Sequence, residues 1–493
     1  MRIALYKMDD EEVGTYTLDE ALAMVGFGKF QGLVLAYAGL GWFAEAMEIM
    51  ILSFIGAAVK SEWGLSSSQE SLLTTGVFAG MLIGAYSWGL ISDNYGRRKG
   101  VLSIAVVGSG AGFLSSFSPN YLSLVIARGL VGFSLGGGPV FLSWFLEFVP
   151  ASNRGMWMVI FSTFWTFGSI FEASLAWIVM PRLNWRWLLA LSSVPSFALL
   201  LFYGVAPESP RYLCMKGRTS DALRILEKMT SVNQTKLPPG ILVSGRTIGQ
   251  DEDCNPQEVM SPLHPLLREN IMQSKSGFSS FFMLFSSRLI QTTLLLWVLY
   301  FGNCFSYYGI ILLTSKLSSG QSGCFKTILS YGNLHDTSLY VTSFVTSLAE
   351  LPGLLLSAIL IDRVGRKQSM ALMFVIAFIF LLPLLTHQSA VLTTCLLFGA
   401  RMCAMGTFTV ACIYTPELYP TPVRTTGAGV ASSMGRIGGL VCPLVAVGLV
   451  TECHQTAAVV LFLVVLVLSV VCILLFPYET KGRELSDAMV VSS

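Results

Sequence analysis

Seven ionisable side chains stand in stretches that are otherwise apolar: Glu45, Glu48, Arg128, Glu172, Glu350, Arg401 and Arg436. Glu45 and Glu48 share the run WFAEAMEIMILSF, residues 42–54, and a spacing of three puts them on one face of a helix. A charge surrounded by hydrocarbon is costly unless it is paired, hydrated or neutralised, so each of these groups is a functional candidate. Glu45, Glu172, Glu350 and Arg436 lie near the middle of their runs, whereas Arg128 lies nearer one end. Four glutamates against one deep arginine make an acidic environment. That favours a cationic or zwitterionic solute, or proton exchange, over an anion, and Arg436 can neutralise one of the four. Asn303, Tyr307 and Tyr308 in YFGNCFSYYG add an amide and aromatic faces suited to a cation. No nucleophile with its base, phosphate loop or Cys/His cluster of metal spacing occurs, so neither an enzyme nor a cofactor or metal is expected. GFSLGGG at 132–138 reads as a helix-packing run, because no strand precedes it.

The elements that position these groups follow from composition. Of 493 residues, 53% are hydrophobic and only 12% charged, about half the charged share of soluble domains. Mean hydropathy is +0.66. This is the composition of an integral, multi-pass membrane protein whose surroundings are the lipid bilayer. A net charge of +2, with no basic stretch interleaved with aromatics, argues against nucleic acid as a partner. The N-terminus is acidic and has no apolar core, which excludes a cleaved signal peptide as a reading of it. The ten cysteines are scattered. Six lie in apolar runs as small buried hydrophobes, and a Cys324–Cys453 disulfide is a further possibility.

Apolar runs of spanning length occur at 31–59, 70–91, 100–118, 121–147, 156–180, 187–206, 291–314, 337–361, 369–387, 391–415, 425–451 and 456–476. The expected organisation is an N-terminal segment (1–30), six spans (31–206), a polar linker with one or two short helices (207–290), six spans (291–476) and a tail (477–493). Placing both termini in the cytoplasm puts 23 of the 31 Lys and Arg on that side and five on the other, with three inside spans. The sequon Asn233-Gln-Thr235 is then cytoplasmic. The membrane is either the plasma membrane or that of an intracellular vesicle.

The two halves repeat. Asp93, Gly96, Arg97 and Arg98 in GLISDNYGRRKG match Asp362, Gly365, Arg366 and Lys367 in AILIDRVGRKQS. The fourth and tenth spans carry Arg128 and Arg401 and end in E-x6-R, at Glu147–Arg154 and Glu417–Arg424. A duplicated six-span unit is the mark of a two-lobed transporter with its site between the lobes. The glycines permit tight turns at the membrane surface. The aspartates can accept from nearby arginines or from the N–H groups opening the next helix. Such a cluster would latch the lobes at the cytoplasmic side and break when they open; a topology signal with ordinary interface charges is the other reading.

The paired D-x-x-G-R motif resembles that of the major facilitator superfamily. RGLVGFSLGG (128–137), NWRW (184–187), PESPR (207–211) and PYETKGR (477–483) are similar to its sugar-porter and organic-ion branch. VGFGKF (25–30), the acidic first span and FSYYG (305–309) resemble most the synaptic-vesicle-protein-related transporters. The resemblance covers nearly the whole chain. It implies an all-α membrane protein of twelve transmembrane helices in two pseudo-symmetric six-helix lobes, monomeric by default, with spans three, six, nine and twelve facing lipid. Those four carry none of the in-span charges. In proton-coupled sugar porters an acid on span one faces the arginine opening R-x-x-x-G-x-x-x-G, and Glu45 and Arg128 match those positions. The implied mechanism is a Glu45–Arg128 pair that a proton breaks, with Glu48 sharing the proton or meeting a cationic substrate. Glu172, Asn303, Tyr307, Tyr308, Glu350 and Arg436 would line the substrate cavity. Span seven lacks the paired glutamines with which sugar porters hold hydroxyls, which weighs against a sugar. The expectation is a secondary active transporter of a small organic solute, coupled to protons. A uniporter or sugar transporter of the same fold is the near alternative, and a transport-inactive binding or trafficking protein of vesicle membranes the distant one.

Overall fold

A computed structural model describes residues 14–150, 154–243, 282–287, 289–318, 338–386, 388–419, 423–447, 449 and 455–481. Cys324 and Cys453 lie outside the described residues.

Apolar runs of this length form helices in hydrocarbon because each helix closes its own backbone hydrogen bonds. A short helix α1 (Leu18–Val25) precedes the first span, which is α2 (Lys29–Met50) continued as α3 (Leu52–Trp63). Spans two to six are α4 (Ser67–Tyr95), α5 (Arg97–Ser115), α6 with α7 (Tyr121–Leu135, Gly138–Leu146), α8 (Arg154–Val179) and α9 with α10 (Trp185–Ser192, Val194–Leu201). The linker adds α11 (Pro210–Met215) and α12 (Thr219–Asn233). Spans seven to twelve are α13 (Ile290–Ser318), α14 with α15 (Ser338–Leu348, Glu350–Arg363), α16 (Arg366–Leu381), α17 (Ala390–Leu418), α18 (Arg424–Cys442) and α19 (Gln455–Leu474). Eleven of these are long and apolar enough to cross a bilayer. The twelfth, α5, opens with Arg97, Arg98 and Lys99 and is diluted by glycine and serine.

Glycine decides how closely the spans approach. A Cβ on Gly80 or Gly84 of α4 would strike the main chain of α6 at Gly129 or Phe133, and one on Gly132 would strike that of Val77. Gly353 of α15 lies against the main chain of Met402 on α17 in the same way. The GFSLGGG run therefore packs helices backbone to backbone.

Besides the helices, β1 (Thr15–Tyr16) pairs in parallel with β2 (Ile241–Leu242), a small addition to an otherwise helical chain. It ties the N-terminal segment to the linker. The linker also holds the start of span one: the Phe30 N–H donates to Asn233 Oδ1 (2.9 Å), and Asn233 Nδ2 donates to Gln31 Oε1 (2.7 Å). The amide of the sequon asparagine is thus committed to a helix cap. Asn233→Ala is expected to lower stability by about 1 kcal/mol, the ordinary worth of such a cap, and thermal unfolding in detergent reads it.

Both ends of each lobe and the linker meet at one end of the bundle, the linker end; the loop between α3 and α4 marks the far end. At mid-depth and towards the far end the lobes touch through aromatic pairs: Phe54 with Tyr340 (5.8 Å between ring centres), Trp177 with Phe344 (6.2 Å) and Phe78 with Tyr308 (4.7 Å).

Candidate functional site: the charged groups between and within the lobes

The mid-span charges fall into three sets; a further buried acid, Glu70 at the start of α4, pairs with Lys60 (3.2 Å). In the first lobe, Arg128 Nη1 meets Glu48 Oε2 at 2.6 Å, and Nη2 donates to the Glu48 carbonyl at 3.1 Å. Arg128 has no exposure. The partner expected for Arg128 was Glu45, and this is corrected. Three residues advance a helix by about 4.5 Å, and Arg128 lies seven residues into α6 from its far end. The acid one turn farther along span one therefore reaches it. Glu172, expected to line the cavity, instead accepts from Ser192 Oγ (2.8 and 3.0 Å) inside the same lobe, within electrostatic reach of Glu48 and Arg128.

In the second lobe, Glu350 Oε1 accepts Arg401 Nη2 (2.7 Å), Arg401 Nε (3.0 Å) and the Tyr307 hydroxyl (2.7 Å). Both Glu350 and Arg401 are wholly buried. The repeat thus keeps its arginine in spans four and ten, but takes the counter-ion from span one in one lobe and span eight in the other. Asn303 is buried; its Oδ1 lies 3.5 Å from Thr407 Oγ1, and its Nδ2 has no partner among the described residues.

The third set spans the lobes. Glu45 is 6% exposed and makes no hydrogen bond or ion pair among the described residues. It sits where span four is interrupted at Gly136–Gly137: a Cβ on Gly138 would strike both the Glu45 carboxylate and the Trp42 ring (2.7 Å). Glycine is therefore the condition for Glu45 to lie there. Across the lobe boundary, Arg436 on α18 is its electrostatic partner, and Tyr308 is within reach of both. Arg436 Nη1 is buried without a partner among the described residues. An acid and a guanidinium on different lobes, within electrostatic reach of each other and with the acid and Arg436 Nη1 lacking a hydrogen-bond partner among the described residues, can hold the two ends of a dipolar solute.

At the linker end the repeated motifs close within each lobe. Arg97 pairs with Asp93 and donates through Nε to Glu147 (3.1 Å); Arg366 pairs with Glu417 (3.2 Å). Arg154 reaches Asp19 of α1 at 3.9 Å. Among the described residues no ion pair joins the lobes here; the side chains of Asp362 and Arg424, two members of the expected latch, are not among them.

The N–H groups opening α5 and α16 are also taken by other acids than expected. Glu208 of PESPR accepts the Arg98 N–H (3.2 Å), and Glu479 of PYETK accepts those of Arg366 (2.8 Å) and Lys367 (2.9 Å). Asp93 is turned to Arg97 and largely exposed, whereas Glu208 and Glu479 arrive from the chain leaving spans six and twelve, directly under those helix starts. The Arg98 guanidinium lies over Tyr203 (4.6 Å), and Lys367 Nζ donates to the carbonyls of Leu474 (2.9 Å) and Phe476 (2.7 Å), closing the last helix. Gly96 and Gly365 stand at φ +108° and +103°, and a Cβ there would press on the Glu208 and Glu479 carboxylates. Gly96→Ala and Gly365→Ala are each expected to cost about 1–3 kcal/mol, read as a lowered melting temperature.

Residues 37–491 match the family described as Sugar (and other) transporter. The chain belongs to the major facilitator superfamily of transporters. It is 57% identical over 490 residues to the organic cation/carnitine transporter 7 of Arabidopsis thaliana, covering 97% of each chain. It is 38% identical to the synaptic vesicle 2-related protein of Xenopus laevis, covering 96% of this chain and 83% of that one. Among solved structures, the E. coli xylose transporter XylE in a partially occluded inward open conformation has a TM-score of 0.68 at 16% identity, over 92% of this chain and all of the other. The molecule is therefore a multi-pass integral membrane transporter with the twelve-helix, two-lobed fold.

Sequence reasoning missed three features of this transporter. Arg401 was placed in a span but not matched to Glu350. Glu208 and Glu479 were quoted in motifs without a role, although an acid following the sixth span of each half was a signal of repetition. Trp165 lies in an apolar run, and nothing in its neighbourhood in the sequence marks it.

Proposed function

We propose that this chain is a secondary active transporter of a small organic solute of the cation or zwitterion class, working by alternating access and coupled to protons. The observation that supports it is the Glu45–Arg436 opposition: two groups of opposite sign, one on each lobe, within electrostatic reach of each other and of Tyr308, with Glu45 and the Arg436 Nη1 lacking a hydrogen-bond partner among the described residues. A solute holding both would draw the lobes together, which is the coupling that alternating access requires. Carnitine, part of the name of the Arabidopsis relative, carries a quaternary ammonium and a carboxylate, the chemistry that Glu45, Tyr308 and Arg436 would receive. Glu45, free of a counter-ion in hydrogen-bond contact, is the carboxyl suited to carry the proton, and the buried pairs Glu48–Arg128 and Glu350–Arg401 hold the lobes in shape.

In this reading the lobes are residues 31–206 and 291–476, with the linker and both termini in the cytoplasm, as the Lys/Arg bias favours. The aromatic contacts between the lobes at mid-depth and towards the far end fit an inward-facing arrangement.

The test is uptake into proteoliposomes of labelled organic cations, zwitterions and sugars, with a pH-sensitive dye inside. Zwitterion uptake with proton movement is expected. Arg436→Gln should reduce zwitterion uptake at least about tenfold, the scale of one charge-assisted hydrogen bond, while sparing simple cations. Equal loss for both classes would remove Arg436 from carboxylate recognition. Uptake without proton movement would make the protein a uniporter, and no uptake by folded protein would turn the reading to binding or trafficking.

A further inference from the structure

A protein that works by alternating access, the reading on which this inference rests, must break in every cycle whatever joins its lobes on the closed side. Among the described residues, two polar side-chain contacts cross from one lobe to the other. Trp165 Nε1 on α8 donates to the Tyr307 hydroxyl on α13 at 2.8 Å, and Arg401 Nη2 meets Met50 Sδ at 3.8 Å. Both lead to the same buried ion pair, because Tyr307 donates its own hydroxyl hydrogen to Glu350 Oε1, the oxygen that Arg401 holds.

The direction of this chain is fixed by its chemistry. An indole N–H only donates, and a carboxylate only accepts, so the tyrosine hydroxyl between them must accept from Trp165 and donate to Glu350. A hydroxyl that donates to a carboxylate becomes a stronger acceptor, so the anionic end strengthens the indole bond. Trp165 is 8% exposed, and its bond to Tyr307 is buried. Its neighbour Trp42, 5.2 Å away ring to ring, has no partner for its own Nε1 among the described residues and stays within the first lobe. The bond exists only while α8 lies against α13, as it does with the far end closed.

We propose that Trp165 is a positioning residue that fastens the two lobes in the far-end-closed arrangement, by anchoring on the Tyr307–Glu350–Arg401 chain, and that its release is part of opening the far end. Its partner group is a neutral tyrosine hydroxyl backed by a buried carboxylate, so the fastening is strong enough to favour one arrangement and weak enough to be broken in each cycle.

The test is hydrogen–deuterium exchange on the full-length protein in lipid nanodiscs, read by mass spectrometry at the far end (54–63, 171–179 and 338–346) and at the linker end. Trp165→Phe should raise far-end exchange roughly fivefold, the scale of one neutral buried hydrogen bond, and lower it at the linker end. Tyr307→Phe, which removes this bond and the one to Glu350, should raise it at least as much, and the double variant should add little beyond Tyr307→Phe, because the bond between the lobes is already gone. Trp42→Phe should leave the far end unchanged. Should Trp165→Phe yield no folded protein, Tyr307→Phe carries the same expectation, since it keeps the ring and removes only the hydroxyl. Far-end exchange equal to wild type in both single variants, or effects that simply add, would overturn the proposal. A rise at the far end with no fall at the linker end would keep the fastening and overturn the alternating-access reading instead.

Discussion

Glu350→Leu will leave Arg401 as a buried charge with no counter-ion, and the transporter will lose about 3–5 kcal/mol of stability. Neither residue is exposed, and every hydrogen bond to a described residue that the Arg401 guanidinium makes, apart from the long contact with Met50, ends on Glu350. Arg401 cannot shed its proton to escape the site. The expected observation is a sharp fall in folded yield and in melting temperature, larger than for Asn233→Ala, Gly96→Ala or Gly365→Ala. Replacing both members, Glu350→Leu with Arg401→Leu, removes the uncompensated charge and should recover most of the loss, since a buried pair exchanged for apolar residues is often close to neutral. Were the single variant to melt like wild type, the pair would not be a buried, exclusive contact, and the Tyr307 chain built on it would fall too.

Glu45→Gln and Glu48→Gln will have opposite consequences, although the two residues are one helical turn apart. Glu48 neutralises Arg128, so Glu48→Gln should lower the melting temperature markedly, softened only by the Glu48 carbonyl, which still accepts from Arg128 Nη2. Among the described residues Glu45 neutralises nothing by direct contact. Removing its charge relieves a desolvation cost, and Glu45→Gln should melt at or above the wild-type temperature. In proteoliposomes the same variant should abolish solute-driven proton movement, because the buried carboxyl that lies towards the other lobe, and can gain and lose a proton without uncovering an arginine, is gone. Both measurements are needed on both variants. A Glu48→Gln protein that folds normally but moves no protons, beside a Glu45→Gln protein that moves them, would transfer the proton to the Glu48–Arg128 pair.

That reversal of roles between neighbouring glutamates marks the boundary of what the chain reveals unaided. Spanning helices are legible because hydrocarbon length and apolar composition are local properties, and the duplication is legible because D-x-x-G-R and E-x6-R recur at 54 and 55 residues from aspartate to glutamate. The mid-span charges were legible in the same way, since any such residue is conspicuous, whereas Glu70, buried at the start of α4 against Lys60, was not singled out. Pairing is not local. Whether Arg128 meets Glu45 or Glu48 depends on the axial offset of α6 against α2. That Glu208 and Glu479, not Asp93, cap α5 and α16 depends on where the chain emerges after spans six and twelve. Trp165 acquires its partner only because α8 lies on the opposite lobe. By itself the sequence determined the twelve spans, the repeat, the family and the identity of the mid-span charges; the tertiary structure alone decided who faces whom, because a contact across a lobe is a sum of helix offsets and close approaches that no single segment encodes.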